Sequence, residues 1–177
     1  AQRVAIDRFL ESRVLNTFDE ALLRLHRYIG LRPTQTALLR ECDLTEKDGR
    51  WHLVIHLIKG KHSTGRRNPN NIRQYKIPDD VAIVLQRLIN EEQDNPLTCP
   101  LTNIDTTCPT KRPMFKAVRT NDRTLPKDAR DAQYYYHLSP QLVSERFYMM
   151  SKNHVITTKE TDLRTNKKVI KPVRITA

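Results

Sequence analysis

Arg32 and the basic run that begins at Lys59 hold the clearest chemical capacity in this sequence. Between Lys59 and Lys76 stand six basic residues, Lys59, Lys61, Arg66, Arg67, Arg73 and Lys76, and no acidic one. Such a run suits a polyanion, because every cation that meets a phosphate releases a condensed counter-ion. The 177 residues carry 31 Lys and Arg against 20 Asp and Glu, a formal net charge of +11, which points the same way. Arg32 stands in Gly30-Leu31-Arg32-Pro33, where a helix-stopping glycine meets a helix-starting proline. A charge in so tight a joint has its backbone set by packing on both sides and is preorganised for a ligand.

Other chemistries lack their parts. There is no Asp/Glu cluster of the two-metal kind, no Gly-rich phosphate loop and no Ser-His-Asp order, so neither a metal nor a cofactor is expected. Cys42, Cys99 and Cys108 have no nearby His pair to complete a zinc site and are read as ordinary thiols of a reducing compartment. His137 and His154 have no partner at catalytic spacing. Aromatic residues are only 6% of the chain and form no base-stacking motif, which argues against RNA. No apolar run reaches the roughly 18–20 residues of a membrane span, so no membrane partner is expected.

The elements that must position these residues can be read from periodicity. Val4, Ile6, Phe9, Leu10 and Val14 suggest one apolar helix face. Thr17-Phe18-Asp19-Glu20 reads as a capping box, followed by a helix whose apolar face runs through Ala21, Leu22, Leu25, Tyr28 and Ile29 and stops at Gly30. Pro33 suits the first turn of a second helix, expected from Thr34 to Arg40. Asp48-Gly49 signals a hairpin, with strands expected at Trp51 to Ile58 and Ile72 to Ile77 on either side of the basic loop. Pro78-Asp79-Asp80 starts an amphipathic helix with Val81, Val84, Leu85, Leu88 and Ile89 on its inner face. From Asp94 to Gln133 five prolines predict a long connection, with one short helix near Met114 to Val118. Ser139-Pro140 caps a further helix to Met150, and two strands are expected at Val155 to Thr157 and Val169 to Ile175. These elements make one α+β domain over residues 1–177, mainly helical with a small antiparallel sheet.

The segment from Tyr28 to Leu44 resembles the first arginine box of the tyrosine recombinases, the phage-integrase family. That box has the form Gly-Leu-Arg-Pro-Ser-Glu-x-x-x-Leu followed by an Asp, and Gly30, Leu31, Arg32, Pro33, Leu39 and Asp43 fall on matching positions. Leu57-Ile58-Lys59-Gly60-Lys61 is similar to the family's lysine turn, and Tyr75-Lys76-Ile77-Pro78 to its returning strand. The match covers residues 17 to 93 and is thin beyond them.

The resemblance implies the N-terminal part of the catalytic domain of a DNA breaking-and-rejoining enzyme. Arg32 would clamp the scissile phosphate, and Lys59, or Lys61 two residues on, would protonate the departing oxygen. Guanidinium supplies fixed parallel donors to phosphate oxygens and ammonium a compact charge, which fits those roles. Lys61, Arg66, Arg67 and Arg73 would hold the DNA backbone. The family's partner is double-stranded DNA, on which complete members assemble as homo-oligomers, in a cytoplasm of bacterial or phage-encoded origin. Two departures stand out. Gln35 replaces the usual acid, and no His-x-x-Arg, which precedes the family's nucleophilic tyrosine, occurs in the chain. Tyr134, Tyr135, Tyr136 and Tyr148 are therefore read as core or surface aromatics, and the chain as a fragment that binds DNA without cutting it. The alternative is a DNA-binding module with no enzymatic role.

Overall fold

A computed structural model describes residues 2–12, 14–58, 66–93, 97–101, 111–117, 124–154, 156–162 and 168–173, the side chains of Gln2, Thr158 and Glu160 excepted. In chain order they form α1 (Gln2–Glu11), α2 (Thr17–Ile29), α3 (Pro33–Ala37), a 3-10 turn (Glu41–Asp43), β1 (Leu44–Lys47), β2 (Arg50–His56) and β3 (Ile72–Lys76). Then come α4 (Asp79–Glu92), α5 (Ala129–Ala132), α6 (Pro140–Asn153), β4 (Thr157–Thr161) and β5 (Lys168–Pro172). The class is α+β: β1, β2 and β3 make an antiparallel meander, and β4 pairs with β5 as a separate ribbon.

The core follows from the periodicity. Leu22 and Leu25 of α2, Leu53 and Ile55 of β2, Leu85 of α4, and Val143 and Phe147 of α6 are all fully buried. Helix α2 packs on α4, and α3 lies against α6, so the inner faces of three long helices close over one side of β2. Salt bridges fasten the outer seam between α2 and α4: Glu20 meets Arg87 at 2.6 Å and Arg24 meets Asp80 at 3.0 Å. The β1–β2 hairpin turns as Asp48-Gly49 predicts. Both residues have positive φ, 52° and 66°, as a two-residue turn matched to strand twist requires.

Three expectations need correction. The cap of α2 is Asn16, one residue earlier than the Thr17 box: Asp19 N–H donates to Asn16 Oδ1 at 2.8 Å. Thr17 instead donates its hydroxyl to Glu91 on α4 at 2.7 Å. Asn16→Ala is therefore expected to cost about 1 kcal/mol in chemical denaturation, as the loss of a cap does. Thr17→Ala, at an exposed contact, should cost less, and the reverse ranking would return the cap to Thr17. The second correction is the helix expected near Met114, which does not form. Tertiary pairing overrides local propensity there: Pro113 bridges Arg40, Lys116 bridges His137, and Met114 N–H donates to the Leu39 carbonyl at 2.9 Å. This extended strip inserts Met114, Phe115 and Ala117 into the core. The third concerns the cysteines. Cys42 is a free, exposed thiol, but Cys99 is disulfide-bonded. Chain spacing does not set the approach of two Cα atoms, which decides whether a bridge closes. The argument for a reducing compartment thereby loses its premise.

Candidate nucleic-acid interface

The Arg32 joint is held from several sides. Gly30 adopts the left-handed conformation, φ 71°, and its N–H closes α2 on the His26 carbonyl. Arg32 is then the N-cap residue of α3, with Pro33 in the first turn, where its missing N–H costs nothing. The Arg32 N–H donates to Gln35 Oε1 at 3.0 Å, so the Gln35 amide ties down the arginine's own backbone. The Arg32 carbonyl accepts from Thr36 N–H at 3.0 Å and from the Thr36 hydroxyl at 3.3 Å. That hydroxyl, fully buried, lies 2.7 Å from His26 Nε2, and the His26 ring stands edge-on to Phe147 at 4.5 Å. Burial lowers the His26 pKa to about 4, so the ring is neutral at pH 7. Neutral Nε2–H donating to Thr36, which donates to Arg32 O, is one consistent chain. The Arg32 side chain itself is exposed.

Arg67 has a different position from the surface cation expected of it. Its guanidinium grips Asp43 with two bonds, Nη1 to Oδ2 at 2.5 Å and Nη2 to Oδ1 at 2.6 Å, and donates again to the Leu38 carbonyl at 2.7 Å. Asp43 also accepts from the Arg40 N–H at 2.7 Å, which starts the 3-10 turn. With 13% of its side chain exposed, Arg67 spends its charge on pinning the foot of the basic loop to the 3-10 turn after α3. Burial alone would lower its pKa, but the hydrogen bonds and charge of Asp43 outweigh burial and the net direction is upward.

Behind this pair sits a second buried guanidinium, Arg40, only 4% exposed. Its contacts are neutral: the Gln133 side chain at 3.0 Å, His137 Nε2 at 3.5 Å and the Tyr134 ring at 5.4 Å. Burial first, then the charge of Arg67, lowers its pKa, although an arginine stays protonated. His137 donates Nδ1–H to the Ala37 carbonyl at 2.6 Å, and in that tautomer its Nε2 is the acceptor that faces Arg40. Burial is the main reason its pKa falls to about 4. His56 is driven down as well, by burial and then by Arg67. The Tyr134 hydroxyl accepts from the Arg67 N–H at 3.1 Å. The cluster thus holds two guanidiniums and one carboxylate, gripped by the Arg67 side chain and by the Arg40 backbone N–H.

Arg66 takes the opposite course. It reaches out of the foot of the loop to Asp131 on α5 at 2.7 Å, both side chains about two-fifths exposed at 41% and 42%. Arg66 and Asp131 line an open groove of about 530 Å³ together with Thr34, Tyr134, His137 and Ser139, over a floor of Leu138, Pro140 and Leu142. The groove thereby joins the end of the basic loop to α3, two residues past Arg32. Arg73 is exposed on β3 and stacks on Tyr75 at 5.2 Å. Lys59 and Lys61, and with them the expected lysine turn, lie outside the described residues. No group of His, Cys, Asp or Glu suited to a metal ion occurs among the described residues. No helix among them is long and apolar enough to cross a membrane.

Compared with known protein families, curated proteins and solved structures, the chain matches none. The functional argument therefore stands on this geometry and on the arginine-box pattern. Arg40, Tyr134, His137 and Asp131 enter it from the structure alone. Arg40 follows Leu39 in a buried run, and His137 ends a string of three tyrosines, so both sat in stretches that read as packing.

Proposed function

We propose that these residues bind double-stranded DNA as the first part of a tyrosine-recombinase catalytic domain, with Arg32 gripping a backbone phosphate. One observation supports this reading most: the foot of the basic loop, at Arg66, and the first turn of the helix that Arg32 caps, at Thr34, border one groove. An exposed guanidinium on a backbone tied by Gln35 and Thr36 suits phosphate clamping, since only the side chain is left to order when the anion arrives. Strand breaking and rejoining through a phosphotyrosine is proposed for a protein that also carries the His-x-x-Arg box and its tyrosine. For the 177 residues the proposed activity is binding, without cofactor.

Affinity for duplex DNA is expected to fall steeply with salt, by a power of about 0.9 for each phosphate contacted. Arg32→Ala is expected to lower that slope by about one contact and to weaken binding roughly eightfold at 0.1 M salt. Fluorescence anisotropy across a salt series reads both quantities. Binding that ignores salt would refute the DNA reading. A slope unchanged by Arg32→Ala would leave a DNA-binding module in which Arg32 has no special part. Cleavage is tested separately, by trapping a chain extended through its tyrosine on a nicked duplex, where Arg32→Ala should abolish the DNA-linked band.

A further inference from the structure

The groove beside α5 holds a charge arrangement that the Arg32 clamp does not use. Its wall contains Tyr134, His137 and Leu38, and the buried Arg40–Asp43–Arg67 cluster lies directly behind them, joined to all three. That cluster has two guanidiniums to one carboxylate, and its histidines are held neutral, so the wall carries a net positive charge that little water screens. The Arg40 guanidinium hydrogen-bonds only to neutral acceptors among the described residues. A buried cation without its own anion is costly, and an anion entering the groove would offset part of that cost.

At the rim the anion's place is already taken. Asp131 lines the groove and holds Arg66 at 2.7 Å. Both side chains are open to water, and exposed pairs of this kind are weak. A phosphate makes shorter and stronger bonds to a guanidinium, in the same forked geometry. The remaining lining suits what is attached to a backbone phosphate: Leu138, Pro140 and Leu142 are apolar, as are sugar faces, and Thr34 and Ser139 carry hydroxyls. A volume of about 530 Å³ leaves room for the phosphate with its flanking sugars.

We propose that this groove takes one phosphodiester of the DNA backbone, and that Asp131 is an internal competitor which the phosphate displaces from Arg66. The inference rests on the DNA-binding reading and adds to it a second phosphate site with a built-in brake. Asp131 lowers affinity for any duplex and is released only when a backbone is seated in the groove.

A double-mutant cycle on binding to a short mixed-sequence duplex tests it. Asp131→Asn, nearly isosteric, is expected to tighten binding about two- to fivefold, the range an exposed ion pair supplies. Arg66→Gln is expected to weaken binding roughly eightfold at 0.1 M salt and to lower the salt slope by about 0.9. In the double variant Asp131→Asn should bring no gain, because the pair it would release no longer exists. An undiminished gain without Arg66 would mean that Asp131 only repels DNA at a distance, and would overturn the competitor. An unchanged slope in Arg66→Gln would overturn the phosphate site. If the unaltered chain failed to bind duplex at all, the functional reading would fall and this inference with it. Either failed cycle leaves that reading standing.

Discussion

Replacing Asp43 with asparagine is expected to destabilise the fold by about 3–5 kcal/mol, the loss seen when one partner of a buried ion pair is removed. Three donors converge on this carboxylate: both Nη atoms of Arg67 and the Arg40 N–H. An asparagine can still accept some of those bonds, but it carries no charge, and its amide nitrogen would point a donor at a donor. Two guanidiniums would then remain in the interior with no described anion between them. Since whole domains are stable by only about 5–15 kcal/mol, such a variant would stand near the edge of folding. Urea denaturation reads the effect as a lower midpoint at unchanged slope. In an Arg67→Met background the same substitution should cost less, because cation and anion then leave together. A loss below about 1 kcal/mol in the single variant, the size of an exposed pair, would show that water screens the cluster and that it is not the anchor of the basic loop.

The importance of Asp43 also marks how far the sequence could be read. Gly30, Pro33 and the Asp48-Gly49 turn were legible, because each depends on local backbone preference. The inner faces of α2 and α4 were legible for the same reason, a period of about 3.6 residues. What Asp43 binds was not legible, since Arg67 is 24 residues away and reads equally well as one more surface cation of the loop. The pairing depends on where β2 and β3 bring the loop back, a tertiary fact with no periodic signature. Met114 and Phe115 failed differently. Their apolar spacing suits a helix turn, yet their backbone groups are claimed by Leu39 and Leu138, far along the chain. The groove is the least local feature of all. It gathers α3, the end of the basic loop, α5 and the start of α6, so Asp131 gave no sign of its role in a stretch that read as a connection.

Acid is expected to unfold this protein well before its carboxylates are fully protonated. His26 and His137 are kept neutral by burial, with pKa values lowered from 6.5 to about 4. Between those values the unfolded chain takes up protons that the folded chain refuses, so stability falls as the pH falls. The contribution is complete above about pH 6.5, declines through the window and is exhausted below about pH 4. Each imidazole removes roughly 3 kcal/mol over the whole window, and His56, shifted the same way, adds to the loss. The geometry makes refusal costly to reverse. A proton on His137 Nε2 would aim a second donor at Arg40, and a charged His26 would lie against Phe147 beneath the Arg32 joint. Equilibrium denaturation at about pH 7, 6 and 5 stays mostly above the carboxylate range and isolates the imidazoles. His26→Gln, which keeps a donor for Thr36 but cannot titrate, should flatten the profile by about one proton's share. A stability that stays level from pH 7 to about 5 would show that water reaches both rings. In that case the chain from His26 through Thr36 could not hold the Arg32 carbonyl in the way its preorganisation requires.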